Sequence, residues 1–216
     1  MENKSKSQST FAYIALTALK LLVICAFIAT LVAAVNFITK DRIAYNQKMN
    51  TASALSDIYS SDGMVFSVSE DGGFKITDES GNPLGSCENA DAELESDVDA
   101  VYIIKDENGE VFGYCVETSP MGFKDEIDLL VAVNPDFTIK DVKVISLSET
   151  KGIGDKIRER TFLDKFKGRK EGFSQSPSEL KSIIISGATR TSEPVTIAID
   201  NALAQIGKMF GEVALG

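Results

Sequence analysis

An unbroken apolar run from Leu21 to Ile38 constrains this chain more than any other feature of its sequence. Thr30 and Asn36 are the polar members of the run. As a helix rising about 1.5 Å per residue, it would extend roughly 27 Å, close to the thickness of the hydrocarbon layer of a bilayer. The run therefore predicts a transmembrane helix over residues 16–39, preceded by an amino-terminal tail over residues 1–15.

The run has two other interpretations. Lys4 and Lys6 could form the basic start of a cleaved signal peptide, with Val32–Ala34 as its cleavage site. Signal peptides usually have apolar cores of about 7–15 residues, so the longer run favours an uncleaved anchor. A buried helix of a water-soluble core is disfavoured by the same length.

The distribution of charge suggests an orientation for such an anchor. Three lysines precede the run and two basic residues follow it, so the positive-inside bias is slight. Residues 41–216 hold 18 basic and 31 acidic residues, a net charge of −13. We expect a single-pass protein of the inner (cytoplasmic) cell membrane, with a cytoplasmic amino terminus and an acidic extracytoplasmic domain.

The composition excludes several classes of function. The chain has 216 residues, a net charge of −10 and no His. An acidic surface repels phosphate backbones, so we expect no nucleic-acid partner. The absence of His excludes the usual general base, the Ser–His and Cys–His nucleophile pairs and most zinc sites. We therefore expect no metal site and no catalytic acid or base.

The three cysteines give little information on their own. Cys25 lies in the apolar run, where it acts as a small apolar residue. Cys87 and Cys115 could form a disulfide in an extracytoplasmic domain, but the sequence does not show whether their Cα atoms approach each other. That pairing stays open. The absence of a CxxC pair argues against an iron–sulfur cluster or zinc finger in this chain.

The patterns that follow the run predict an α+β fold with a twisted, mainly antiparallel sheet and flanking helices. Residues 40–95 are predicted to hold a stalk helix, a peripheral hairpin and an acidic loop, and residues 96–216 the main domain. The predicted helices are Arg42–Tyr59, Ile153–Phe166 and Pro194–Phe210. The predicted strands are Met64–Ser69, Phe74–Thr77, Val101–Lys105, Val111–Thr118, Glu126–Asn134, Phe137–Leu147 and Leu180–Ile185. The predicted loops are Asp78–Gly85, Glu88–Asp99 and Lys167–Ser178.

The segment Ser186–Ser192 (SGATRTS) lies between the last predicted strand and the last predicted helix. Gly187 and Ala188 would let another molecule approach the backbone closely. Thr191 or Ser192 would cap the helix, whose amino terminus attracts phosphate groups. Taken alone, the segment also fits an ordinary capped turn.

Three motifs in this order resemble those of the FMN-binding domain family. The SGATRTS segment is similar to the flavinylation motif of that family. Glu149–Ile157 (ETKGIGDKI) resembles its ETxGxGxK stretch, and Gly122-Phe123 leading into Ile127–Val131 is a third match. With the amino-terminal anchor, the layout resembles the G subunits of Rnf electron-transport complexes. Those are related to the C subunit of sodium-translocating NADH:quinone reductase.

The resemblance implies that Thr189 carries covalent FMN, joined by a phosphoester between its Oγ and the FMN phosphate. Lys156 would help to balance the charge of the phosphate or the reduced flavin, although it also fits a solvated helix lysine. The other binding residues that the resemblance implies are Ser186, Gly187, Ala188, Ser192, Glu149, Thr150, Gly152 and Gly154.

The function implied by the resemblance is that of a redox subunit of an ion-translocating oxidoreductase. Such a subunit relays electrons between the other membrane and iron–sulfur subunits of an Rnf-type complex, which couples ferredoxin/NAD chemistry to sodium or proton transport. A flavin transferase would mature it. One alternative is a flavin-free anchored scaffold or binding domain. Another is a hydrolase with Ser186 as nucleophile, which would need a Ser–Lys pair and lacks the GxSxG elbow.

Overall fold

The computed structural model describes residues 2–90, 93–95 and 97–211, the first eleven of them as backbone alone. The helices in these ranges are α1 (Glu2–Ile58), α2 (Arg160–Leu163), α3 (Pro177–Ile183) and α4 (Thr189–Phe210), with 3₁₀ helices at Ser60–Asp62 and Gly154–Arg158. The strands are β1 (Val65–Val68), β2 (Phe74–Thr77), β3 (Pro83–Asn89), β4 (Val98–Asp106), β5 (Val111–Thr118), β6 (Asp128–Val133) and β7 (Ile139–Ser146).

The chain divides into two compact units, of which the first ends at Gln47 and consists of α1 residues. The side chains of residues 13–38 are exposed, although most of them are apolar. The Thr30 hydroxyl donates to the Ala26 carbonyl at 2.8 Å, so this polar group is satisfied inside the helix. The helix is long and apolar enough to cross a membrane. The limits 16–39 for the span stay a prediction.

The second unit begins at Lys48 and is built on one seven-stranded sheet among the described residues. Each strand pairs antiparallel with the next strand along the chain, so the order in space is the order in sequence. The turns Asp71–Gly73, Asp106–Gly109 and Asn134–Asp136, with their Gly, Asp, Asn and Pro residues, connect neighbouring strands. The predicted α+β fold with a mainly antiparallel sheet is confirmed.

The sheet is covered on both faces, as β6 shows most clearly. Successive residues of β6 point to opposite sides, and residues 129–133 are fully buried. Leu129, Val131 and Val133 belong to a core shared with α4, whereas Leu130 and Ala132 belong to a second core. The carboxyl end of α1 and the residue after it contribute Ala52, Leu55, Ile58 and Tyr59 to this second core.

The predicted strand Leu180–Ile185 is wrong, because this segment lies mostly in α3. Pro177 occupies the first turn of the helix, where its fixed φ is favourable. Ile183 is buried in the core at the end of α3, while the two isoleucines after it are half-buried. A short apolar run of this kind fits a buried strand and a helix end equally well.

The predicted loops around β3 are also partly wrong. β3 begins at Pro83, inside the predicted loop Asp78–Gly85, and continues into the predicted acidic loop Glu88–Asp99, whose last residues belong to β4. None of the side chains of β3 is fully buried. The strand is held by backbone pairing to β2 and β4. Because it buries no side chain fully, its sequence lacks the alternating apolar pattern from which a strand is predicted.

The predicted helix Ile153–Phe166 is broken into two short pieces. A 3₁₀ helix ends at Arg158, and α2 begins at Arg160. Glu159 between them has an extended backbone, with ψ of 139°. The stripe of apolar residues is still useful, because Ile157, Phe162 and Phe166 are buried in the core.

The closing helix α4 begins earlier than predicted, at Thr189 rather than at Pro194. Ala188 occupies the N-cap position. The prediction of Thr191 or Ser192 as the cap is therefore wrong: both lie in the first turn of α4, where their side chains are buried.

The two cysteines of the second unit are free thiols. Cys87 on β3 lies opposite Ile104, and Ile104 lies opposite Gly113 on β5, the strand that holds Cys115. Two strand spacings of about 4.8 Å separate these strands, beyond the reach of a disulfide. Burial raises the pKa of both thiols, that of Cys87 to about 12, which disfavours the reactive thiolate form. The open question of their pairing is answered against a disulfide.

Candidate functional site

Three segments of the second unit meet around a cavity of about 350 Å³. They are the connection between β5 and β6, the segment that follows β7, and the start of α4 with the turn before it. The lining residues are Phe123, Glu149, Thr150, Ile153, Gly154, Gly187, Ala188, Thr189, Arg190 and Thr191. The volume lies within the range of roughly 300–1,000 Å³ that small-molecule sites occupy.

A tight turn leads from α3 into α4 at one side of the cavity. The Ala188 amide donates to the Ile185 carbonyl, and the Ala188 carbonyl accepts from the Thr191 and Ser192 amides. Gly187 has a φ of +82°, a conformation that residues with a Cβ rarely adopt. A built Cβ would meet no other residue within 4 Å, apart from the two adjoining ones. Glycine is therefore favoured here by its backbone conformation and not by lack of space.

Ser192 holds this turn from behind rather than facing the cavity. Its hydroxyl accepts from the Ile185 amide at 2.9 Å and donates to the Ala188 carbonyl at 3.0 Å. The side chain is fully buried. Ser192 therefore fixes where α4 begins.

Thr189 is the first residue of α4, and it is exposed at the edge of the cavity. The first turn of a helix carries amide N–H groups without intrahelical acceptors and a partial positive charge. Arg190 adds a full positive charge beside it, with its guanidinium 5.3 Å from the centroid of the Phe123 ring. A hydroxyl at this position lies in surroundings that favour an anion.

Glu149 contributes the negative charge of the lining and connects all three segments. Its Oε1 accepts from the Phe123 amide at 2.6 Å and from the Lys124 amide at 3.0 Å. Its Oε2 accepts from the Thr191 hydroxyl at 3.3 Å.

The turn after Glu149 contains two glycines, one with a positive φ and one in a crowded position. The Thr150 carbonyl accepts from the Ile153 and Gly154 amides, which closes the turn. Gly152 has a φ of +78°, and its amide donates to the Asp155 carboxylate at 2.7 Å. Gly154 is buried, and a Cβ there would lie 2.7 Å from Glu149 Oε2.

Six of the residues that the sequence singled out line the cavity together: Glu149, Thr150, Gly154, Gly187, Ala188 and Thr189. The other four lie outside the lining. Ser186 and Gly152 are exposed in the adjoining turns, Ser192 is buried behind the first of them, and Lys156 is exposed on the 3₁₀ helix. Of these four, Lys156 is a solvated lysine in this structure.

Sequence reasoning missed four lining residues: Phe123, Ile153, Arg190 and Thr191. Phe123 and Ile153 stand inside the matched motifs, and their side chains are exposed by 55% and 50%. Large apolar side chains exposed beside a cavity indicate a binding surface, and their exposure can be read from the structure but not from the sequence. Within the described ranges, no group of three or more His, Cys, Asp or Glu residues could hold a metal ion.

Two protein-family models match the chain. Residues 122–204, which contain every residue that lines the cavity, match the FMN-binding domain. The residues that line the cavity therefore lie in a segment that is similar to FMN-binding domains. Residues 13–58, which lie within α1, match the RnfG N-terminal region.

Curated relatives are similar over different lengths. The chain is 28% identical over 213 residues to the G subunit of the Na⁺-translocating ferredoxin:NAD⁺ oxidoreductase complex of Acetobacterium woodii, covering 94% of this chain and 96% of the relative. It is 32% identical over 106 residues to the G subunit of the proton-translocating ferredoxin:NAD⁺ oxidoreductase complex of Clostridium ljungdahlii. This second match spans 47% of the chain and 57% of that relative.

Two solved structures of NqrC proteins also match. Shewanella oneidensis NqrC is 26% identical with a TM-score of 0.42, over 54% of this chain and 61% of that one. The C subunit of the Na⁺-translocating NADH-quinone reductase of Parabacteroides distasonis is 20% identical with a TM-score of 0.44, over 58% of this chain and 77% of that one.

Proposed function

We propose that this chain is a membrane-anchored electron-transport subunit that carries FMN on Thr189, joined by a phosphoester between the threonine Oγ and the FMN phosphate. The observation that carries the proposal is the position of Thr189. It offers an exposed hydroxyl at the amino end of α4, on the rim of a cavity, within the residues that match an FMN-binding domain.

The residues of the cavity fit both ends of FMN. The positive end of α4 and the Arg190 guanidinium suit a phosphate group. Phe123 and Ile153 offer apolar surface to a flavin ring. Gly187 leaves open space beside the proposed acceptor, since no heavy atom beyond its own and the two adjoining residues lies within 4 Å of its built Cβ.

Attachment requires little chemistry from this chain. The Thr189 hydroxyl would form the bond to phosphorus and give up its proton, while a flavin nucleotide donor loses the leaving group on its phosphate. A flavin transferase would supply the catalytic groups, and the exposure of Thr189 leaves the hydroxyl accessible to it. Bound FMN supplies the electron-transfer chemistry, and the linkage leaves its ring unmodified.

The partners in this proposal are the other membrane and iron–sulfur subunits of an Rnf-type complex. The support is the match of almost the whole chain to the G subunit of a ferredoxin:NAD⁺ oxidoreductase complex. The chain would be a redox subunit of an ion-translocating oxidoreductase, with sodium or proton coupling set by other subunits. The apolar part of α1 would anchor it in the cell membrane, with residues from Lys48 onward on the extracytoplasmic side.

The test is flavin fluorescence in a denaturing gel, together with the intact mass, of protein produced with a flavin transferase. We expect wild type to carry one FMN and Thr189→Ala to carry none, because alanine has no hydroxyl. Thr189→Ser keeps the hydroxyl and should stay fluorescent. Ser186→Ala, a matched control that removes a neighbouring hydroxyl, should also stay fluorescent.

Two results would contradict the proposal. A wild-type mass equal to that of the bare polypeptide, with an active transferase present, would favour the flavin-free scaffold. Fluorescence that persists in Thr189→Ala and disappears in Ser186→Ala would move the acceptor to a different hydroxyl.

A further inference from the structure

We infer that Glu149 is a positioning residue: its carboxylate joins the three segments around the cavity and holds the first turn of α4 where Thr189 can accept a flavin. The link to flavin rests on the proposed function above. The link between the segments rests on contacts within this chain alone.

Both oxygens of the Glu149 carboxylate are used by the chain itself. Oε1 accepts from two successive amides, those of Phe123 and Lys124, and Oε2 accepts from the hydroxyl of Thr191. Hydrogen bonds to an ionised acceptor are roughly twice as strong as neutral ones. A side chain committed in this way orders the walls of the cavity rather than binding what enters it.

Two glycines leave room for this carboxylate from opposite sides. A Cβ at Gly122 would collide with Glu149 Oε1 and would lie 2.6 Å from Ile127 Cδ1. A Cβ at Gly154 would lie 2.7 Å from Oε2 and 2.9 Å from the Glu149 Cβ. Neither glycine has a positive φ, so the requirement at both positions is space.

The effect of the carboxylate on Thr189 passes through Thr191. The Thr191 side chain is 2% exposed, and it lies in the same helical turn as Thr189. Farther along, α4 is held by Val195 and Ile199, which are fully buried in the core. Loss of the carboxylate should therefore loosen the first turn and the β5–β6 connection without unfolding the helix.

Substitution of Glu149 by glutamine or by alanine tests whether its hydrogen bonds position the three segments. The amide oxygen of Glu149→Gln can accept from the Phe123 and Lys124 amides, and its NH₂ group can donate to the Thr191 oxygen. Glu149→Ala leaves all three donors without this acceptor. Glu110→Ala is the matched control, because it removes an exposed carboxylate from the β4–β5 turn, at the end of β5 opposite the β5–β6 connection.

The experiment measures two quantities on the full-length chain in detergent. One is the rate of amide hydrogen exchange in peptides that cover residues 122–125 and 189–192. The other is the fraction of protein that carries flavin, by intact mass, after production with a flavin transferase. For Glu149→Ala we expect exchange about tenfold faster in both peptides, and flavin loading reduced to about a tenth of wild type. Glu149→Gln should recover most of both, and Glu110→Ala should match wild type.

Wild-type exchange and loading in Glu149→Ala would overturn the inference, and so would a Gln variant as defective as the Ala variant. If Glu149→Ala does not fold, Thr191→Val decides, because it removes one bond and keeps the shape. Thr191→Val should speed exchange at residues 189–192 and leave exchange at residues 122–125 unchanged. Exchange at residues 189–192 as slow as in wild type would overturn the inference. A wild-type chain without flavin would contradict the proposed function, while the exchange rates still test the positioning role.

Discussion

Among the residues that line the cavity, Gly154 is the glycine that leaves the least room for a Cβ. Its built Cβ lies 2.7 Å from Glu149 Oε2 and 3.1 Å from Thr191 Oγ1, between the two groups that bond to each other. Gly154→Ala should therefore lower the free energy of unfolding by about 1–3 kcal/mol, as overpacking does, and reduce flavin loading. Thermal denaturation and intact mass would measure the two effects.

Gly73→Ala is the control for that change. Gly73 also has an ordinary φ, and its built Cβ comes no closer than 3.4 Å to Ser69 Oγ. Its midpoint of thermal unfolding should stay near that of wild type. If Gly154→Ala matched Gly73→Ala in thermal stability and in flavin loading, the prediction would be wrong, because the groups around Gly154 would then accommodate a methyl group without loss of stability.

The residues of the candidate site differ in how far sequence could predict them. Gly187 and Thr189 belong to one short motif, so their proximity follows from the chain itself. The contact of Arg190 with Phe123 and the bonds of Glu149 join segments that are distant in sequence. They depend on how the sheet places the β5–β6 connection beside α4, which no local pattern contains.

At the scale of elements, β5 carries a carboxylate in an unfavourable position. Burial raises the pKa of Glu117, and the nearby Asp99 and Asp128 raise it further, although the Thr51 and Tyr102 hydroxyls donate to it. The folded state therefore binds this proton more tightly than the unfolded state does. The stability that Glu117 contributes is greatest below the ordinary pKa of glutamate, about 4.3, and is lost as the pH rises through the raised value.

Glu117→Gln should remove this loss, because the amide keeps an acceptor for the two hydroxyls and carries no charge. We expect the variant to melt higher than wild type at pH 7, with a smaller difference between pH 7 and pH 4.5. Calorimetry at both pH values would measure it. An unchanged difference in melting temperature between the two pH values would show that other carboxylates determine how stability depends on pH.

The elements that could be predicted are those whose patterns are local. β5, β6 and β7 combine apolar periodicity with strong turn signals, and they lie where expected. β3 and α3 were missed for opposite reasons. β3 has an exposed surface and is held by its neighbours, whereas the isoleucines at the end of α3 resemble a strand although only one of them is buried in the core.

At the scale of the whole molecule, the boundary between the two units predicts a separable domain. A fragment of residues 48–216 keeps Ala52, Leu55, Ile58 and Tyr59, which cover one face of the sheet. It lacks the exposed apolar residues 13–38. We expect this fragment to be soluble without detergent and to unfold in one cooperative transition, by circular dichroism.

A fragment that begins at Ser60 is the matched control. It removes four buried apolar side chains, of which the larger ones are each worth about 1.5–3 kcal/mol, a large part of the stability of an ordinary domain. It should aggregate or lack a cooperative transition. Equal behaviour of the two fragments would show that the end of α1 is dispensable to the fold.

The strictly sequential order of the sheet has a consequence for biogenesis. Because each strand pairs with the one before it, the sheet can assemble in the order of synthesis, with few distant pairings to wait for. Thr189, the proposed acceptor, is synthesised after all seven strands, on α4, and its cavity is complete once that helix has docked. A transferase that needs the completed cavity would then pass over nascent chains, so that cofactor loading would serve as a quality check on maturation.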